Sequence, residues 1–263
     1  MNVIVLVKQV PNTTDVKLDP KTGNLVREGI ESIINPDDLH AIEAAVGIKE
    51  KTGGEVTALS MGPAQAIDAL SEAMGMGVDK SILLTDRAFS GADTWSTSFT
   101  LGKAIKKIGK YDIVICGRQA IDGDTAQIGP QVAEYLGIPQ VSYVFEIETV
   151  KKNYMIVKRR IENGFERIRT SIPALLTIIG EMNEPRYPIV RDLLDACGEK
   201  APIKVWNAGD IGVKTEEVGL EGSLTNVTKT FSPKTKRETE MLEGETEEQV
   251  EALVGRLRGN KLI

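Results

Sequence analysis

An alternation of wholly apolar strands with proline-opened helices runs through the first half of this chain and constrains its fold more than any other feature. Val3 to Val7 is an unbroken apolar run, the pattern of a parallel strand covered on both faces. In "NPDDLHAIEAAVGIKEKTGG" Asn35 can cap a helix and Pro36 suits its first position. Leu39, Ile42, Ala45 and Val46 form one stripe, and Gly53-Gly54 stops the helix. The pattern repeats. "EVTALSMG" reads as a strand, "PAQAIDALSEAMGMG" as a helix opened by Pro63, and "KSILLTD" as a strand. "DTWSTSFTLGKAIKKIG" is a helix capped by Asp93, "YDIVICG" is a strand, and a fourth helix runs through "QVAEYLG". Strands joined by helices of about ten residues or more predict βαβ units. The fold class is therefore α/β, a doubly wound and mostly parallel sheet with helices on both faces.

After residue 140 the pattern changes. "VSYVFEIETV", "NYMIVKRRIE" and "FERIRTSIPALLTII" alternate at period two, with turn-like "VKKN" and "ENG" between them. They read as antiparallel strands or hairpins. "PIVRDLLDAC" reads as a short helix. From about residue 200 the chain is polar and rich in turn formers, and it ends in an amphipathic helix, "ETEEQVEALVGRL". Val250, Leu253, Val254 and Leu257 share one side of that helix. Such a tail has too little apolar surface to fold alone, so the expected organisation is an α/β domain over 1–198 and an arm with a helix over 199–263, laid against a partner.

A net charge of -6 excludes a general nucleic-acid binder, and the basic run "KKNYMIVKRR" alternates like a strand whose charges face solvent. No apolar run reaches the ~20 residues that membrane insertion requires. Two cysteines, Cys116 and Cys197, fit a reduced chain rather than a disulfide scaffold. "MNVIVLVKQV" has neither a basic leader nor a cleavage site, so the expected location is cytoplasmic.

In doubly wound sheets ligands sit beyond the carboxyl ends of the strands, where the strand order reverses. Three loops qualify: "KQVPNTTD", "SMGPAQ" and "GRQAIDGDT". Each has Gly or Pro at a corner near a helix start, where free N–H groups and a partial positive charge suit a phosphate. The GxxxxGK[ST] and GxGxxG motifs are absent. A metal site is unsupported. His40 is the sole histidine, neither cysteine has a partner at ligand spacing, and Ala126 and Gln127 break a calcium-loop pattern after Asp122 and Asp124. No Ser or Cys nucleophile is spaced with His40, which reads as a surface or interface residue, and no residue reads as catalytic. Asp122 and Asp124 are too close for separate acid and base roles and fit turns, caps or ribose hydroxyls. Asp124 with Gln127 fits a capping pattern, although Pro130 is an alternative helix start. The residues themselves lead to a nucleotide-binding α/β domain with a partner-seeking tail.

Several stretches, in order and spacing, resemble the β subunit of electron transfer flavoproteins: "VKQVPNT", "NPDDLHAIEAAV", "MGPAQA", "GRQAIDGDTAQIGP" and "VKRRIENGFERIRTSIPALLTI". Asn163 departs from the Gly or Asp usual there, and Asn also tolerates turn conformations. The resemblance covers essentially the whole chain. It implies a Rossmann-like domain of the adenine nucleotide alpha hydrolase-like kind, with an antiparallel hairpin extension and an arm that embraces an α subunit carrying FAD. In ordinary members the β site holds AMP, and in electron-bifurcating members it holds a second FAD. "DGDTAQIGP" looks like the bifurcating group, and the glycine between its aspartates favours FAD by freeing amides for a pyrophosphate.

By the same resemblance, the nucleotide-contacting positions are Leu6, Asn35, Met61, Gly117, Arg118, Gln119, Asp122, Gly123, Asp124, Thr125 and Gln127. Gly117 and Gly123 would let the backbone reach phosphates, Thr125 and Gln127 would bond phosphate oxygens, and Leu6 and Met61 would pack on adenine. Pro188, Ile189, Val190, Leu193 and Leu194, after "NEPRYP", would meet an acyl-CoA dehydrogenase. The implied activity takes electrons from NADH and passes them to ferredoxin or flavodoxin and, through the α-subunit FAD, to the dehydrogenase. The alternatives are a carrier subunit with structural AMP, a stand-alone regulatory domain of universal-stress type, and an ATP-dependent ligase-like enzyme. The arm speaks against the second, and the absence of an SGGxDS loop against the third.

Overall fold

The computed structural model describes residues 1–12, 31–198, 201–229, 239 and 241–263. It divides into two compact units, Met1–Val227 and Thr228–Ile263. The first opens with β1 (Val3–Leu6), β2 (Gln9–Pro11), β3 (Ser32–Ile34), α1 (Pro36–Thr52) and β4 (Val56–Met61). Next come α2 (Ile67–Gly75), β5 (Lys80–Leu84), α3 (Thr94–Ile108), β6 (Ile113–Gly117) and α4 (Ile128–Leu136). The remaining elements are β7 (Gln140–Val150), β8 (Tyr154–Ile161), β9 (Gly164–Ser171), β10 (Ala174–Ile178), α5 (Val190–Ala196) and β11 (Ile203–Trp206). In the second unit α6 (Thr246–Gly259) buries none of its residues, and Val250 and Leu253 of its expected apolar side are exposed.

Nine strands form one sheet in the order β11-β5-β4-β1-β6-β10-β7-β8-β9, while β2 and β3 make a separate antiparallel pair. From β11 to β7 every pairing is parallel, and only β8 and β9 run antiparallel beyond β7. This is the expected doubly wound α/β sheet with a hairpin extension. Its layers follow from period two along the strands. Val3, Val5 and Val7 join a core with Ile42, Val46 and Leu70, from α1 and α2. Ile4 and Leu6 join a second core with Leu101, Ile105 and Val132, from α3 and α4. Fully burying each such side chain is worth roughly 1.5–3 kcal/mol, so the two layers fix the helices against the sheet.

Two expectations change. Ala174–Ile178 is not part of an antiparallel hairpin: β10 inserts between β6 and β7 and pairs with both in parallel. All five of its residues are buried. Its unalternating "ALLTI" belongs to a strand covered on both faces, and only the preceding β9 keeps period two. Also, α4 starts at Ile128 with Gln127 at its N-cap and no side-chain cap bond, so neither Asp124 nor Pro130 marks the start. The basic run behaves as a ladder of charges: Lys158 meets Glu146 at 2.9 Å and Glu148 at 3.2 Å, and Arg167 meets Glu148 at 2.6 Å. No described helix is long and apolar enough to cross a membrane.

Candidate functional site

The strand order reverses between β1 and β6, with β4 and β5 lying beyond β1 and β10 beyond β6. The carboxyl ends of β1 and β6, the first turn of α1 and the loop 118–127 meet at this switch point. The buried carboxylate of Asp38 fastens the two strand ends. Its Oδ2 accepts from the Lys8 amide at 2.9 Å and its Oδ1 from the Gly117 amide at 2.9 Å. Burial pushes the Asp38 carboxyl up to about 7, against the pull of those two amides. Gly117 must be glycine for this reason, since a Cβ there would lie 2.4 Å from Asp38 Oδ1. Its amide therefore serves the protein's own carboxylate.

Asn35 occupies the N-cap position of α1 but makes no side-chain cap bond. Fully buried, it donates from Nδ2 to the Gln119 carbonyl at 2.9 Å and accepts at Oδ1 from the Ile121 amide at 3.1 Å. It straps the loop to the helix start instead of capping. Lys8 Nζ reaches Asp122 Oδ1 at 2.6 Å, and Gln119 Nε2 reaches Asp124 Oδ1 at 2.8 Å. Arg118 Nε lies 3.5 Å from Asp37 Oδ2, and both of these buried atoms lack a hydrogen-bond partner among the described residues. Desolvation raises the Asp37 carboxyl, with the Arg118 charge opposing it. The Gly123 amide turns back to the Ala120 carbonyl at 3.3 Å, as does that of Asp124 at 2.9 Å. The glycine between the aspartates thus adds no free donor, which removes the sequence argument that it favours FAD.

Free donors lie just beyond. Asp124 and Ala126 take left-handed conformations, at φ 48° and 53°, a strained arrangement for residues with a Cβ. Among the described residues no protein acceptor meets the Thr125, Ala126 or Gln127 amides. The first-turn amides of α4, Ile128 and Gly129, have no intrahelical partner by construction. Gly129 packs so closely that a Cβ would lie 2.5 Å from Thr177 Cγ2. The Gln127 side chain accepts from Thr94 Oγ1 at 2.9 Å, tying this helix start to α3. All eleven expected positions stand at or beside the strand ends; Leu6 is the last residue of β1, with its side chain in the α3/α4 core. Met61, at the end of β4, packs on that core while half-buried.

The expected docking segment divides. A Cβ on Gly75 would approach Pro188 Cβ at 3.0 Å and Leu193 Cβ at 3.3 Å, so these two side chains face α2. Ile189, Val190 and Leu194 are exposed, with Tyr187 beside them at 93%. Arg186 holds the segment to α1. Its Nε and Nη2 grip Glu43 at 2.8 and 2.9 Å, and its Nη1 reaches Glu50 at 2.6 Å. That guanidinium keeps both carboxyls below their ordinary range. His40 is part of the same join, its Nδ1 at 2.9 Å from the Asn183 carbonyl. A surface cavity of about 780 Å³ lies between this segment and α2, lined by Lys49, Asp79, Asp192 and Asp195 among others, away from the strand ends. The switch point carries the unmet amide donors, and its hydrogen-bonding chemistry makes it the candidate site. The roles of Lys8, Asp38 and Arg186 have no local sequence signature, because their partners lie 114, 30 and 143 residues away. Glu43 and Glu50, seven residues apart on one helix face, were the available signal for Arg186.

The fold defines a doubly wound α/β protein with free amides at the β1/β6 switch point. The sequence matches the electron transfer flavoprotein domain over residues 22–211. It is 52% identical over 263 residues to the electron transfer flavoprotein subunit beta of Thermoanaerobacterium thermosaccharolyticum, covering 100% of both chains. It is 49% identical over 265 residues to the caffeyl-CoA reductase-Etf complex subunit CarD of Acetobacterium woodii, again 100% of both. It is 40% identical over 268 residues to the acryloyl-CoA reductase electron transfer subunit gamma of Anaerotignum propionicum, 100% of both. The chain belongs to the electron transfer flavoprotein family, among its β subunits.

Proposed function

We propose that the chain is the β subunit of an electron-bifurcating electron transfer flavoprotein, with FAD bound at the β1/β6 switch point. The observation that carries the bifurcating reading is the full-length identity to relatives named as subunits of CoA-reductase assemblies. The donor set fits the cofactor: the amides from Thr125 to Gly129 and the start of α4 suit a pyrophosphate. When bound, FAD supplies the acceptance of a hydride from NADH and its division between two one-electron routes. The chain's own residues position and polarise. Asn35 and Lys8 hold the loop, Asp38 fixes the strand ends beneath it, and Asp122 and Asp124 shape the turn and would meet sugar hydroxyls.

The partners in this reading are an α subunit with the second FAD, an acyl-CoA dehydrogenase, and ferredoxin or flavodoxin, in the cytoplasm. The arm is the element for the α subunit, supported by exposed Leu220, Leu224 and Val227 and by the uncovered side of α6. Ile189, Val190 and Leu194 are the apolar contacts for the dehydrogenase, with Pro188 and Leu193 seating the segment on α2. The purified assembly should reduce a ferredoxin or flavodoxin with NADH only when its CoA-ester acceptor is present. Loss of that coupling, with AMP in place of the second FAD, assigns the chain to the ordinary carriers.

A further inference from the structure

Around the switch point four carboxylates (Asp37, Asp38, Asp122 and Asp124) stand against two cations, Lys8 and Arg118. The free amides suit a phosphate, and among so many carboxylates a cation turned toward it adds the charge they lack. Arg118 is drawn to Asp37, which sits behind it in the first turn of α1. Lys8 differs. Its ammonium has three donors, and only the bond to Asp122 Oδ1 at 2.6 Å is used among the described residues. Its side chain is 43% exposed while that of Asp122 is 12% exposed, so the cation is the outer member of the pair. Its backbone is fixed by Asp38 on the amide and by the Asn35 amide on the carbonyl, the latter at 2.9 Å. Asp122 precedes Thr125 by three residues, a contour of about 11 Å at most, so Lys8 stands within one diphosphate and side-chain length of the free amides.

We propose that Lys8 is the cation that binds the nucleotide's phosphates, and that Asp122 competes with the ligand for it. This rests on the nucleotide-site reading above and names the charge relation within that site. Phosphate and Asp122 bid for the same ammonium, so removing the carboxylate's charge frees the cation. A lysine that merely straps the loop would predict the reverse, because either substitution would then break the strap.

The test uses the full chain, purified with whatever subunit accompanies it and freed of nucleotide, with AMP and adenosine as paired probes. Lys8→Met should weaken AMP binding about tenfold or more, as loss of a charge-assisted bond does, and flatten its salt dependence. Lys8→Gln guards against an effect of the methionine. Asp122→Asn should tighten AMP several-fold, and the ratio of AMP to adenosine affinity should rise in Asp122→Asn and fall in both Lys8 variants. Equal weakening of AMP and adenosine, or weaker AMP binding in Asp122→Asn, overturns the proposal and leaves a structural strap. Failure of the parent protein to bind either probe overturns the nucleotide site itself, a result separable from the other two.

Discussion

Replacing Asn35 separates two accounts of how the site loop is held. As a helix cap, asparagine is interchangeable with aspartate or serine, and loss of the cap costs about 1 kcal/mol. As a strap, the amide group must both donate to the Gln119 carbonyl and accept from the Ile121 amide, at 2.9 and 3.1 Å, from a fully buried position. Alanine then loses two neutral bonds and leaves a shielded donor and acceptor unmet, about 2–4 kcal/mol in all. Aspartate keeps the bond from Ile121 but sets a carboxylate oxygen against a carbonyl oxygen, so it should be no better than alanine. Urea unfolding at pH 7 measures both, and amide exchange at Ile121 reports the loop locally, with protection falling in both variants. An Asn35→Asp protein within about 0.5 kcal/mol of the parent would refute the strap and restore the cap.

Asp93 offers a parallel dissection at the root of the arm. Its Oδ1 caps α3 by accepting from Ser96 N at 2.9 Å, while its Oδ2 accepts from the Leu224 and Thr225 amides, each at 2.9 Å. Asp93→Asn should keep the cap and release residues 223–225, seen as faster exchange of those amides, whereas Asp93→Ala should also cost about 1 kcal/mol in global stability. Arg186→Met should weaken the native state by about 1 kcal/mol, a figure reduced for the partial exposure of the pair. Because Arg186 lowers the Glu43 and Glu50 carboxyls, its stabilisation is present above their ordinary pKa of 4.5 and is lost as pH falls through the depressed values. The difference between parent and variant in a pH series of unfolding should therefore shrink in acid. If the proposed dehydrogenase docks on this segment, Ile189→Asp with Val190→Asp should slow electron delivery to it severalfold or more while bound-nucleotide content stays unchanged, because both side chains are exposed and away from the strand ends.

The order of elements was legible because burial writes itself locally: unbroken apolar runs for β1 and β6, Pro and Gly at the helix ends, and Asp93 before a helix whose Ser96 amide it caps. What was not legible depends on partners distant in sequence. Lys8 and Asp122 are 114 residues apart, and Arg186 and Glu43 are 143 apart, so neither pair has a local pattern. "ALLTI" carried the mark of a doubly covered strand but follows an alternating one, and only the ladder with β6 and β7 separates them. β11 lies in polar sequence beyond residue 198, as an edge strand with two of its four residues exposed, which is why composition there reads as an arm. In the sequence the glycines suggest freedom toward a ligand. Gly117 is instead required by Asp38, and Gly123 has open space around it and an amide already bonded.

The proposed function turns on what the switch point holds, and the direct measurement is the nucleotide released on denaturing the purified assembly. Chromatography of the supernatant should yield two FAD for each β chain, one from this site and one from the α subunit. One FAD with one AMP would contradict bifurcation and leave an ordinary carrier, and an assembly that releases no nucleotide would contradict the site itself.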